Sequence, residues 1–102
     1  MLSPRIKTST REITVFLKEL SKKNLSHEEY EEILKVFLTP AELDAIAQRL
    51  QIVNLIIKGV TQREISEKLG VGVATVTRGS RMLQENELIL QLVFPRNEQL
   101  PI

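Results

Sequence analysis

The apolar residues of the chain recur mostly at helical spacing. Ile13, Phe16, Leu17 and Leu20 stand at i, i+3, i+4, i+7, and Tyr30, Ile33, Leu34 and Phe37 repeat that spacing. A third run begins at Pro40 and continues to about residue 58, with Leu43, Ile46, Ala47, Leu50, Val53 and Ile57 on one face. Ile52, Leu55 and Ile56 widen that face around the helix. A helix apolar over most of its circumference has to be buried over most of it. In a chain of 102 residues this predicts a second subunit. After Gly59 the elements shorten. Residues 62–69 form two turns with Ile65 and Leu69 inward, Gly70, Val71 and Gly72 form a turn, and residues 73–84 form a further helix with Val76 and Leu83 inward. The apolar run 88–94 reads as a last helix. Val71, Val73, Thr75, Val76 and Thr77 also suit a strand, but no partner strand is visible. The fold predicted is all-α.

Four S/T-x-x-E boxes punctuate these runs: Ser9 to Glu12, Ser26 to Glu29, Thr39 to Glu42 and Thr61 to Glu64. In such a box the hydroxyl accepts from a first-turn amide while the glutamate reaches back to the cap amide. Pro40 reinforces the third box, because proline suits the first helical position. Residues 1–7 read as a flexible arm with Arg5 and Lys7, 8–94 as one helical domain, and 95–102 as a loose tail.

Net charge is +1, but its distribution is uneven. Residues 1–23 carry net +4, 24–48 net −5, 49–81 net +4 and 82–102 net −2. Without cysteine there is no disulfide framework and no thiolate metal site. His27 is the one histidine, so one subunit offers no multi-histidine metal site, and catalysis is not expected. The acidic residues Glu28, Glu29, Glu31 and Glu32 suit a solvated first turn and its helix dipole. No run of about 18 apolar residues and no signal peptide are visible, which points to the cytoplasm.

The chemistry concentrates in residues 61–83. A capped two-turn helix, a glycine turn and a second helix make a helix-turn-helix pattern, pinned by Ile65, Leu69, Val71 and Val76. A plain structural corner meets the same four positions. The exposed residues favour DNA. A recognition helix needs small side chains where it enters the major groove, and hydroxyls and guanidinium groups for phosphates and base edges. Val73, Ala74, Thr75, Thr77 and Arg81 supply these on the second helix, and Arg63, Ser66 and Lys68 supply them on the first. Lys58 adds a further basic group for phosphate.

Leu38-Thr39-Pro40-x-Glu42, Arg49, Thr61-Gln62-Arg63-Glu64-Ile65 and the stretch from Leu69 to Ser80, above all Ala74-Thr75-Val76-Thr77-Arg78-Gly79-Ser80, resemble the Trp repressor family. The resemblance covers roughly residues 38–83. It implies an intertwined helical homodimer with a helix-turn-helix reading head, a pseudo-palindromic DNA operator, and L-tryptophan as the co-repressor ligand, with no other cofactor. Arg49 and Arg78 match the two arginines that sandwich the indole, where a flat guanidinium stacks better than a lysine. Gly79 matches the position that must be small beside the ring. Val36, Leu38 and Thr39 match the turn that the family offers from the other subunit. The sequence departs at Met82, where the usual pattern has a small hydroxyl residue. The link from Gly59 to Gln62 is one residue shorter, and Arg81 replaces a neutral residue. The alternatives are a dimeric regulator of the same lineage that needs no effector or takes a different one, and a protein-interaction module, which would not need the arginine and threonine face.

Overall fold

The computed structural model describes residues 4–94, all six of whose regular elements are helices. They are α1 (Pro4–Ser21), α2 (His27–Phe37), α3 (Pro40–Ile57), α4 (Gln62–Leu69), α5 (Val73–Glu85) and α6 (Glu87–Leu90). Residues 71–77 are turn and helix rather than strand, and the last apolar run is a single helical turn followed by turns to Phe94. The expected tail, 95–102, lies outside the described residues, as do residues 1–3 of the expected arm. Residues 4–7 belong to α1, which starts earlier than the apolar spacing alone predicts. Proline is tolerated in a first turn, and the hydroxyls of Thr8, Ser9 and Thr10 donate to the carbonyls four residues earlier. Ser9 is therefore a mid-helix residue and not a cap.

The chain divides into two compact units, residues 1–39 and 40–102. In the first, Tyr30 Oη donates to the Leu20 carbonyl, and Phe16 and Phe37 meet edge to face with ring centroids 5.2 Å apart. Asn24 carries the chain between α1 and α2 with φ +53°, a left-handed conformation that asparagine tolerates. No described residue of α1 or α2 is buried. The second unit holds the core. Ile52 and Leu55 of α3, Ile65 of α4 and Val76 of α5 form one cluster, with Ile56, Val60, Leu69 and Val71 packed around it.

Two caps act as the sequence predicts. Ser26 begins α2 with a complete capping box: its hydroxyl accepts from the Glu29 amide at 3.1 Å, and its amide donates to Glu29 Oε1 at 2.9 Å. His27 stays exposed and lies 2.7 Å from Glu31. Thr61 begins α4 by accepting from the Glu64 amide at 3.2 Å, and its hydroxyl donates to the Glu64 carboxylate at 3.0 Å. Gly59 closes α3 at φ +86°, where a side chain would be strained, and the Val60 amide returns to the Leu55 carbonyl. Among the described residues no helix is long and apolar enough to cross a membrane.

The backbone amide of Ser26, and next its hydroxyl, hold the Glu29 carboxyl below the usual carboxylate range. A carboxyl whose pKa is lowered by folding stabilises above its unfolded value and loses that contribution as pH falls through the folded one. Ser26→Ala should lower the melting temperature at neutral pH and flatten its fall on acidification. Melting curves by circular dichroism over an acid series read both effects; identical acid limbs would remove the Ser26–Glu29 pair as their source.

Candidate ligand cavity and nucleic-acid interface

α4 and α5 form a small angled pair whose geometry follows from the turn between them. Gly70 ends α4 in the left-handed region, φ +66° and ψ +35°, which costs an L side chain about 1–2 kcal/mol. The Ser66 carbonyl accepts from both the Gly70 and Val71 amides. The Ser66 hydroxyl donates to the Val71 carbonyl, so this half-buried residue, expected at the DNA, is spent on the turn. Thr77 is also committed inside the pair. Its hydroxyl lies 2.7 Å from Gln62 Oε1 and 3.0 Å from the Val73 carbonyl, and so ties α5 to the start of α4.

The other residues expected at DNA are available to it. Val73, Ala74 and Arg81 on α5 are exposed, as are Arg63 and Lys68 on α4, while Thr75 is half-buried. Arg63 is 88% exposed and lies 3.5 Å from Glu67, one turn on. An exposed pair of this kind is worth less than about 1 kcal/mol, so it leaves the guanidinium free to exchange partners.

Beside this pair lies a cavity of about 390 Å³, within the size range of small-molecule sites. Ala45, Gln48, Arg49 and Ile52 of α3 line one wall, and Thr75, Arg78, Gly79 and Met82 of α5 line the other. Each set is i, i+3, i+4, i+7, one face of one helix. Arg49, Arg78, Gly79 and Met82, singled out from the sequence, are thus brought together. Sequence reasoning missed Ala45, Gln48 and Ile52 as lining and gave Thr75 to DNA alone; the shared helical spacing was the signal for them. Val36, Leu38 and Thr39 belong to the first unit, at the end of α2 and the step to α3.

Electrostatically the lining holds two guanidinium groups and no carboxylate. Among the described residues neither Arg49 nor Arg78 has an ion-pair or hydrogen-bond partner, so a helix-face salt bridge does not account for Arg49. Two cations at one apolar-floored cavity can take an anionic group and stack on a flat ring. Gly79 has a second role besides leaving room. A methyl group built on it would come within 2.6 Å of Ile52 Cγ2, so α3 and α5 approach here as only glycine allows.

An all-helical fold, with a cationic cavity beside an angled helix pair whose outer face is small and basic, defines a class of regulatory protein rather than a catalyst. Residues 11–97 match the family described as Trp repressor protein. Among the similar proteins, a Trp operon repressor homolog of Vibrio cholerae serotype O1 is 39% identical over 83 residues, covering 76% of this chain and 81% of its own. One of Vibrio atlanticus is 40% identical over 84 residues, 76% of this chain and 86% of its own. One of Actinobacillus succinogenes is 53% identical over 55 residues, 53% of this chain and 54% of its own. The chain belongs to the Trp repressor family.

Thr77→Val should destabilise the fold by about 1 kcal/mol, the usual worth of a lost side-chain hydrogen bond, by releasing α5 from Gln62. Urea denaturation at fixed pH measures this, and an unchanged midpoint would mean that the contact contributes nothing.

Proposed function

We propose that the chain is a homodimeric transcriptional repressor that binds double-stranded DNA through α4 and α5, with L-tryptophan as co-repressor in the α3–α5 cavity. The observation that carries this reading is the pair of unpartnered guanidinium groups, Arg49 and Arg78, facing one cavity from two helices. The indole lies between them, and one of them also meets the ligand carboxylate. The other faces of α5 then reach DNA. Val73 and Ala74 let the helix backbone approach base edges, Arg63 reads bases at the start of α4, and Arg81, Lys68 and Lys58 contact phosphates. Ser66 and Thr77 hold the reading head in shape.

Dimerisation is supported by the apolar surface that one chain leaves open. On α1 and α2, Ile13, Leu17 and Leu34 are among the exposed large hydrophobics, with Val36 at 77% and Phe37 at 68%. Leu88, Ile89, Leu92 and Val93 at the other end are open as well. Scattered exposed apolar residues are ordinary, but whole helix faces are not. A second copy covers them and brings the turn at Val36, Leu38 and Thr39 to the ligand.

Met82 favours a second reading of the effector. It is half-buried and lines the cavity, and a thioether is a weak hydrogen-bond acceptor. A ligand other than tryptophan, or none, fits the same dimer and the same DNA interface.

Calorimetric titration with L-tryptophan should show one saturable site per subunit of a dimer that sedimentation confirms. Arg78→Ala should abolish that heat while the dimer stays folded; a variant that binds normally would take Arg78 out of the cavity. On DNA selected from a random pool, Arg63→Ala should cost about 1–3 kcal/mol and relax the sequence preference. Unchanged affinity and preference would remove Arg63 from base reading. Affinity should also fall steeply and linearly on a log scale with salt, as phosphate neutralisation requires.

A further inference from the structure

Ile52 stands between the cavity and the core. It is 2% exposed, packs with Leu55, Ile65 and Val76, and also lines the cavity. On α3 the other lining residues, Ala45, Gln48 and Arg49, all precede it, while the core residue Leu55 follows it. Gly79 of α5 lies directly against it: a methyl group there would meet Ile52 Cγ2 at 2.6 Å and Cβ at 3.6 Å. The two helices therefore touch at this rung with less than a methyl group's space to spare. Ile52 has little freedom to step aside. A β-branched side chain in a helix holds one strongly favoured χ1, and the core closes the far side.

α4 and α5 move as one piece. Ile65 and Val76 share the core cluster, Thr77 bonds Gln62 at 2.7 Å, and Ser66 bonds Val71. A ligand entering the cavity presses α5 away from α3 on one side of the Ile52–Gly79 contact, while the core resists on the other. Translation of α5 would break the Ile65 and Val76 packing, so the motion left is a tilt about the contact. Val73 lies six residues from Gly79, about 9 Å along the helix, so a tilt of about 10° moves it by about 1.6 Å. That is enough to change how a helix end meets a groove.

We propose that Ile52 and Gly79 form the pivot through which occupancy of the cavity reorients α5, with Ile52 a positioning residue for the coupling between ligand and DNA. The inference rests on the ligand-gated reading above. Its working part is the methyl branch Cγ2, not the bulk of the side chain. Two substitutions separate these. Ile52→Leu keeps the volume but removes the branch at Cβ. Ile52→Val keeps the branch and its rotamer but loses a methylene.

The test measures the full chain's affinity for a duplex selected from a random pool, with and without L-tryptophan, beside tryptophan binding to the free protein. In the unsubstituted protein the ratio of the two DNA affinities is expected to be on the order of tenfold or more. Ile52→Val should keep that ratio although it melts at a lower temperature. Ile52→Leu should melt closer to the unsubstituted protein, still bind tryptophan, and lose most of the ratio. Ile52→Met, also unbranched at Cβ, takes its place if the leucine variant does not fold. A residue that only fills the core predicts the reverse order, so a coupled leucine variant or an uncoupled valine variant overturns the pivot. A ratio of one in the unsubstituted protein overturns tryptophan gating itself, and the pivot with it, and is distinguished by appearing before any substitution.

Discussion

The contact between Ile65 and Val76 is the constraint on which the second unit depends. Both side chains are fully buried, one from a helix of 8 residues and one from a helix of 13. An isolated helix of either length is marginal in water, so α4 and α5 exist as helices because each closes the other's apolar stripe over α3. The turn geometry serves the same end. Gly70 in the left-handed region, the Ser66 hydroxyl on the Val71 carbonyl and Thr77 on Gln62 all fix the angle at which those two side chains meet. Polar residues with the chemistry to contact a ligand or a phosphate are thus used to set a shape.

The first unit has no comparable centre. α1 and α2 carry regular apolar faces, yet a single aromatic pair and one tyrosine hydrogen bond are the links described between them. Fully burying one large apolar side chain is worth about 1.5–3 kcal/mol, so leaving several of them in water gives up more stability than a small domain can spare. The capping box at Ser26 and the hydroxyl bonds along α1 can set where the helices begin, but they cannot replace a core. This is the physical reason that the unit makes sense as half of a shared structure.

Much of this was legible in the sequence, for identifiable reasons. α4 is predicted at its observed ends because Thr61 and Gly70 are unambiguous stop and start chemistry on either side of Ile65 and Leu69. α2 and α3 are legible through Ser26 and Pro40. The first turn of α1 was not, because Thr8, Ser9 and Thr10 read as cap or arm residues unless their hydroxyls bond back along the helix. Arg49, Arg78, Gly79 and Met82 came from resemblance, but Gln48 and Ile52 needed the crossing of α3 over α5. Sequence spacing gives the face of each helix and says nothing about which faces meet. For the same reason Ser66 and Thr77 looked exposed: a hydroxyl on a short helix has the same sequence signature whether it turns to solvent or to a neighbouring carbonyl.

α5 explains how one short helix can serve three surroundings. At about 100° per residue, Val76 and Leu83 occupy one sector, Thr75, Arg78, Gly79 and Met82 the next, and Val73, Ala74, Thr77 and Arg81 the third. The first faces the core, the second the cavity, and the third is largely open to a partner. A rigid rod with three such sectors cannot change its fit in one without changing its presentation in another. Coupling between a ligand and a distant surface then needs no relay of side chains, only a rod that is held at one point and free to tilt there. The close approach of Gly79 to Ile52 supplies that point, because it is the one rung of α5 where the neighbouring helix leaves no slack.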